Sequence, residues 1–318
     1  MKVTQMLFGA TAAGTTRFAI ELLPPLKGAG PDATFAAIDP LADLGLAYVN
    51  VTYHREEAQY TEREGGLLER RVVRRRPGTV GISAAITQRY GIPAVPHMIC
   101  GGQSRYDLED ALIDLDLLGI NNVLALRGDN LRGENAFKPH PGGHTYATQL
   151  VQQIAAMNRG EYVDGATGHK SDFCIGAAGY PEKHAEAPNM ATDIAHLKEK
   201  VAAGAQYIVT QMSFDNRKIF TFINACRAAG ITVPVIPGIK PLSTREQLTL
   251  LPQIFHVDLP EELVDEALQC KDNKAVREVG IRWAVAQARE LKAAGLPLIH
   301  FYTMGKTDNM VAIAKEVF

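Results

Sequence analysis

The chain has 318 residues, 46% hydrophobic and 21% charged, with a formal net charge of −2, the profile of a soluble globular protein. That balance argues against nucleic-acid binding, which calls for a basic face, and no stretch reaches the apolar length of a membrane span. Four widely spaced cysteines, Cys100, Cys174, Cys226 and Cys270, offer neither a disulfide framework nor paired zinc ligands. No metal site is expected, and reduced thiols suit the cytoplasm.

In chain order, residues 1–17 read as an N-terminal extension. Lys2 and Met6-Leu7-Phe8 give it a faint likeness to a secretory signal, but Thr11 interrupts an apolar core that is already too short. From residue 18 to 318 one unit recurs: a helical pattern, a glycine, then a short apolar run. The junctions stand at Gly45 before residues 47–51, Gly91 before the run to Cys100, and Gly119 before 123–126. They return at Gly204 before 207–209, Gly230 before 233–236 and Gly295 before 298–301. Glycine accepts the left-handed backbone that ends a helix, and the chain then enters a strand. The runs are short, apolar and rich in β-branched residues, as strands covered on both faces must be. Segments 18–23 and 174–178 bring the number of candidate strands to eight. Between two of them, Leu108, Ala111, Leu112, Leu115 and Leu118 have the spacing of one helix face.

Eight strands alternating with helices predict an α/β fold, a single-domain (β/α)8 TIM barrel over residues 18–318. An open doubly wound sheet uses the same alternation, but no G-x-G-x-x-G follows the first strand to support its dinucleotide-binding form.

A barrel builds its active site at the C-terminal strand ends. Those ends carry Glu21, Thr52-Tyr53-His54, His97, Arg127-Gly128-Asp129, Tyr180 to His184, Gln211 and Tyr302-Thr303. Each also has a structural reading: His97 as a core histidine, Arg127 with Asp129 as an ion pair, Gln211 bonding loop backbone. Glu21 resists such a reading. It lies within Phe18-Ala19-Ile20-Glu21-Leu22-Leu23, where a carboxylate is costly unless paired, hydrated or protonated. A desolvated carboxyl is what general-acid chemistry near neutral pH needs. Further along, Asp193, His196 and Lys200 share a helix face beside an apolar stripe of Ile194, Leu197 and Val201. A solvated polar face is the alternative.

These residues resemble the methylenetetrahydrofolate reductase family in order and spacing. The match runs through Glu21 before Pro24-Pro25, Val51-Thr52-Tyr53, Pro96-His97-Met98, Leu126-Arg127-Gly128-Asp129 and Gly179-Tyr180-Pro181-Glu182. It continues through residues 196–201, Thr210-Gln211, Ile236-Pro237-Gly238-Ile239 and His300-Phe301-Tyr302-Thr303. The resemblance implies an FAD-containing barrel, with NADH or NADPH as electron source, that reduces 5,10-methylenetetrahydrofolate to 5-methyltetrahydrofolate in one-carbon and methionine metabolism.

By the same resemblance Glu21 is the general acid at folate N10, and Asp129 stabilises the cation formed on ring opening. Thr52, His97, Arg127, Gly128, Asp129, Tyr146, Ala147, Tyr180, His184, Asp193 and Lys200 match FAD-contacting positions. Glu21, Asp129, Gln211, Gln247, Tyr302 and Lys306 match positions around the folate or nicotinamide. Members commonly self-associate, so a homo-oligomer is expected.

Departures are Lys306 where an arginine is common, Glu199 where some members have arginine, and Leu251 where some have phenylalanine. Segments 130–143 and 158–172 match poorly, and the regulatory domain of animal members is not expected. Two other readings are a flavin-free barrel binding a pterin or folate for methyl transfer, and a silent folate-binding subunit. Glu21 together with Asp129 argues against the silent one, and flavin absorbance of the purified protein separates the readings.

Overall fold

Each of the eight runs read as candidate strands forms a parallel strand of one sheet. The computed structural model describes residues 1–130, 136–305 and 307–318. Its strands are β1 (Arg17–Leu22), β2 (Leu46–Val51), β3 (Glu57–Arg63), β4 (Leu67–Val73), β5 (Ala94–Ile99), β6 (Asn122–Leu126), β7 (Cys174–Gly179), β8 (Tyr207–Met212), β9 (Val235–Ile239) and β10 (Leu298–Tyr302). All except β3 and β4 close into a barrel ordered β1-β10-β9-β8-β7-β6-β5-β2. Because β1 pairs with both β10 and β2, the sheet has no free edge and the open alternative is set aside.

The helices are α1 (Val3–Ala12), α2 (Asp32–Phe35), α3 (Thr79–Tyr90), α4 (Arg105–Leu117), α5 (Ala147–Met157) and α6 (Met190–Ala203). After them come α7 (Asn216–Ala228), α8 (Gln247–Phe255), α9 (Glu261–Gln269), α10 (Asn273–Ala293) and α11 (Asp308–Val317). The junction glycines work as read: Gly91 ends α3 at φ 64°, its N–H donating to Thr87 O. In α4 the predicted face is buried at Leu108, Leu112 and Leu115, and Leu118, at the C-cap, is half exposed.

The first seventeen residues contain a helix. Val3, Met6 and Leu7 of α1 are buried with Ala19, Tyr48, Val95 and Tyr207 of the barrel interior. Asn122, which opens β6, accepts from Val3 N at 2.8 Å and donates to Met1 O at 3.1 Å. Helix α1 therefore stoppers the N-terminal end of the barrel. The poorly matching segment 158–172 also leads into the start of a strand, β7, away from the strand ends that carry the candidate site.

Inward positions alternate along each strand, and two glycines make room for aromatics that cross the interior. A Cβ on Gly176 would fall 2.4 Å from the Tyr207 ring, and one on Gly238 would fall 2.7 Å from that of Tyr302. Strands β3 and β4 form an antiparallel hairpin outside the barrel, an element the sequence reading did not contain. Its run of Glu and Arg offers neither an apolar alternation nor a continuous apolar stretch.

Candidate active site

Strand β1 delivers Glu21 to the barrel mouth, beside Asn50 of β2 and Tyr302 of β10 in the register. Thr303 Oγ1 donates to the Glu21 backbone carbonyl at 2.6 Å, fixing the strand end. Burial raises the Glu21 carboxyl from its ordinary 4.5 to about 7. The ammonium of Lys240 opposes that rise, and the negative charge of Asp129 adds to it. A carboxyl so placed exchanges its proton near neutral pH.

Around it stand three inward groups. Tyr302 donates from its hydroxyl to Thr210 O at 2.7 Å and packs edge-on to His300. Burial, followed by the charge of Glu21, holds its phenol far above the ordinary tyrosine range. Lys240, just past β9, is 2% exposed. Gln211 lies where the β8–β9 register shifts between Val209 and Met212, an irregularity that redirects a strand end. Its Oε1 accepts from Met212 N at 2.9 Å, a backbone group of its own strand rather than of a loop.

A second cluster gathers on the β5–β7 side. Asp193 Oδ2 accepts from His184 N at 2.9 Å, fastening the loop after β7 to α6. The Tyr180 and His184 rings meet edge-on at 4.8 Å. Lys200 Nζ donates to Ala178 O at 3.2 Å and lies 6.0 Å from the Tyr180 ring centroid. Burial lowers the Lys200 ammonium, and Asp193 partly restores it. Of the three polar residues read onto one face of α6, Asp193 is buried and Lys200 half-buried, whereas His196 is exposed. The stripe of Ile194, Leu197 and Val201 packs inward as read.

His97 is 6% exposed, its Nε2 buried without a hydrogen-bond partner, and desolvation pushes its imidazolium down to about 3. It is therefore a neutral ring with an unanswered nitrogen, beside a cavity of about 660 Å³ that Tyr53, Arg55 and Gly102 also line. Thr52 Oγ1 lies 3.1 Å from His54 Nε2. Arg127 does not pair with Asp129. Both oxygens of Glu186 take its guanidinium, at 2.5 and 2.8 Å, and Asp129, which follows Gly128 at φ 85°, is exposed at the strand end.

Other matched positions lie at the starts of helices. Tyr146 is 61% exposed at the N-cap of α5, and Ala147 begins that helix. Gln247 opens α8 and turns back to accept from Ser243 N at 2.8 Å. Leu251 is buried with Met212, Phe214 and Leu242, as a core residue. Lys306 lies outside the described residues. The sequence reading missed Lys240, although a lysine in Val235-Ile236-Pro237-Gly238-Ile239-Lys240 interrupts an apolar run as Glu21 does. It also gave Glu182 no role. Burial raises that carboxyl to about 7, and Ser213 Oγ donates to it at 2.8 Å.

No helix among the described residues is long and apolar enough to cross a membrane. A solved structure of an uncharacterized Clostridium thermocellum protein that binds two copies of 5-methyl-5,6,7,8-tetrahydrofolic acid has the same fold. Its TM-score is 0.55 at 13% identity, covering 98% of each chain. Methylenetetrahydrofolate reductase (NADH) 1 of Arabidopsis thaliana is 31% identical over 98% of this chain and 50% of its own length. The chain thus spans about half the length of the plant relatives it matches. The 5,10-methylenetetrahydrofolate reductase of Salmonella typhimurium is 30% identical over 96% of this chain and 91% of its own length. The family model described as methylenetetrahydrofolate reductase matches residues 7–317, and the chain belongs to that family.

Proposed function

We propose that this protein reduces 5,10-methylenetetrahydrofolate to 5-methyltetrahydrofolate with NADH or NADPH as electron source and FAD as cofactor, in cytoplasmic one-carbon and methionine metabolism. The observation that carries the reading is Glu21, a buried carboxyl at the end of β1 beside Tyr302 and Asn50, raised to about 7 and acted on by Lys240 and Asp129. A flavin-free methyl-transfer barrel needs no hydride chemistry.

The residues present fit FAD. His97 Nε2 is a buried nitrogen without a hydrogen-bond partner, and the half-buried Lys200 ammonium suits a phosphate. Thr52, His97, Arg127, Gly128, Tyr180, His184, Asp193 and Lys200 would hold the cofactor, with Tyr146 and Ala147 at its rim. When bound, FAD supplies hydride transfer from the nicotinamide to the folate.

The chain's own groups then act on the folate. Glu21 protonates N10: the carboxyl O–H bond breaks, N10–H forms, and the pair of the C–N10 bond stays on nitrogen. The N5 lone pair completes a cationic iminium, which faces the charge of Asp129. Gln211, Gln247, Tyr302 and Lys306 orient the substrate.

The test is direct. The purified protein should show flavin absorbance, bleach anaerobically with NADH or NADPH, and recolour on adding 5,10-methylenetetrahydrofolate. A colourless protein without turnover in the presence of added FAD would overturn the reading.

A further inference from the structure

Among the described residues no other lysine or arginine is buried like Lys240. A cation taken out of water is costly unless an anion answers it. Lys240 lies two positions beyond Gly238, whose missing side chain faces Tyr302, so it shares the inward face. Ile239 between them packs outward with Ile299 and Phe301. Strands β9 and β1 flank β10, which places Lys240 and Glu21 at strand ends on either side of Tyr302. Among the described residues, the ammonium of Lys240 and the carboxylate of Asp129 are the charges that act on the Glu21 carboxyl, the first lowering it and the second raising it.

We propose that Lys240 is a positioning residue for proton transfer: it holds Glu21 at the barrel axis and stabilises the carboxylate that remains once Glu21 has given up its proton. The inference rests on the proposed reaction, in which a neutral acid and a neutral folate become an anion and a cation. Asp129 answers the cation, and Lys240 answers the anion. With Asp129 alone beside it, the desolvated Glu21 would keep its proton at neutral pH and be a poorer donor. Among the described residues, Tyr302 on β10 also faces Glu21, and burial with the charge of Glu21 keeps its phenol protonated.

The experiment is an infrared titration of the Glu21 carboxyl in the purified protein, assigned by its loss in Glu21→Gln. Wild type should titrate near pH 7. Lys240→Met should move the midpoint upward by about 1 pH unit or more, and Lys240→Arg should stay near wild type. In parallel, the alkaline fall of folate reduction should move up and its low-pH plateau drop, with flavin reduction by the nicotinamide unchanged. An unshifted midpoint in Lys240→Met, or Lys240→Arg behaving like Lys240→Met, overturns the proposal. Should Lys240→Met not fold, NMR titration of 13C-labelled lysine decides: Lys240 should lose its proton at lower pH in Glu21→Gln than in wild type, and equal midpoints overturn the pairing. The titrations need no folate. A shifted Glu21 in a protein that reduces no folate overturns the proposed reaction and leaves the pairing, whereas turnover with an unshifted Glu21 overturns the pairing alone.

Discussion

Arg127 is clasped by both oxygens of Glu186, at 2.5 and 2.8 Å, which fastens the loop after β7 to the end of β6. The guanidinium also lies 5.0 Å from the Phe137 ring centroid. Its planar fork is thus oriented on two sides before any ligand arrives, and an ammonium cannot reproduce that geometry. Arg127→Lys should weaken flavin retention about tenfold, the scale of one charge-assisted hydrogen bond. Flavin absorbance after gel filtration checks this, and undiminished retention would leave Arg127 as a partner of Glu186 alone.

Lys200 is held between Ala178 O and the Tyr180 ring, with Asp193 as the opposing charge. Lys200→Met keeps the aliphatic stem and removes the charge. The expected result is flavin loss on dialysis with an unchanged far-ultraviolet circular dichroism spectrum. Full occupancy after dialysis would return Lys200 to a purely structural role.

Asp129 acts electrostatically on both Glu21 and Tyr180, so it stands between the two clusters. Asp129→Asn should slow folate reduction, because the developing cation loses its anion. The same change removes a charge that keeps Glu21 protonated, so the alkaline fall of folate reduction should also shift to lower pH. Unaltered folate kinetics would separate Asp129 from the chemistry.

Glu21→Gln keeps shape but cannot give a proton. Folate reduction should fall by about 10²–10⁴-fold while flavin reduction by the nicotinamide is retained. In wild type, folate reduction needs the protonated acid and should decline as pH rises through about 7. Stability follows the same sign: the contribution of this raised carboxyl is present below its ordinary 4.5 and lost as pH rises to about 7. The glutamine variant should lack that loss. Stopped-flow traces of the two half-reactions distinguish the outcomes, since equal slowing of both would make Glu21 a support of the flavin site.

Gly238→Ala tests the packing beneath the site. The added Cβ would lie 2.4 Å from Thr210 O and 2.7 Å from the Tyr302 ring. The expected cost is about 1–3 kcal/mol, read as a lower melting temperature with a raised KM for folate. A variant with wild-type stability and KM would show that the barrel absorbs the methyl without moving Tyr302.

The sequence by itself determined the alternation of strands and helices, from which the barrel was expected, and it singled out Glu21 as a carboxyl in an apolar run. Short apolar runs, most of them preceded by helix-ending glycines, are what parallel strands covered on both faces require, and Glu21 is conspicuous because it interrupts such a run. It did not announce α1 as the stopper of the barrel, since Val3, Met6 and Leu7 acquire their meaning only against Ala19, Tyr48 and Tyr207 from distant strands. Nor did it announce the β3–β4 hairpin, whose charged residues carry no apolar period. For Arg127 the sequence suggested Asp129 as an ion-pair partner, and the fold instead brings Glu186, from the loop after β7, to the guanidinium. Closure of the barrel made Lys240 the counter-charge of Glu21, bringing together residues 219 positions apart. Side-chain period and turn chemistry are local and are written along the chain, whereas the charge that acts on a buried carboxyl depends on which strands become neighbours, and only closure decides that.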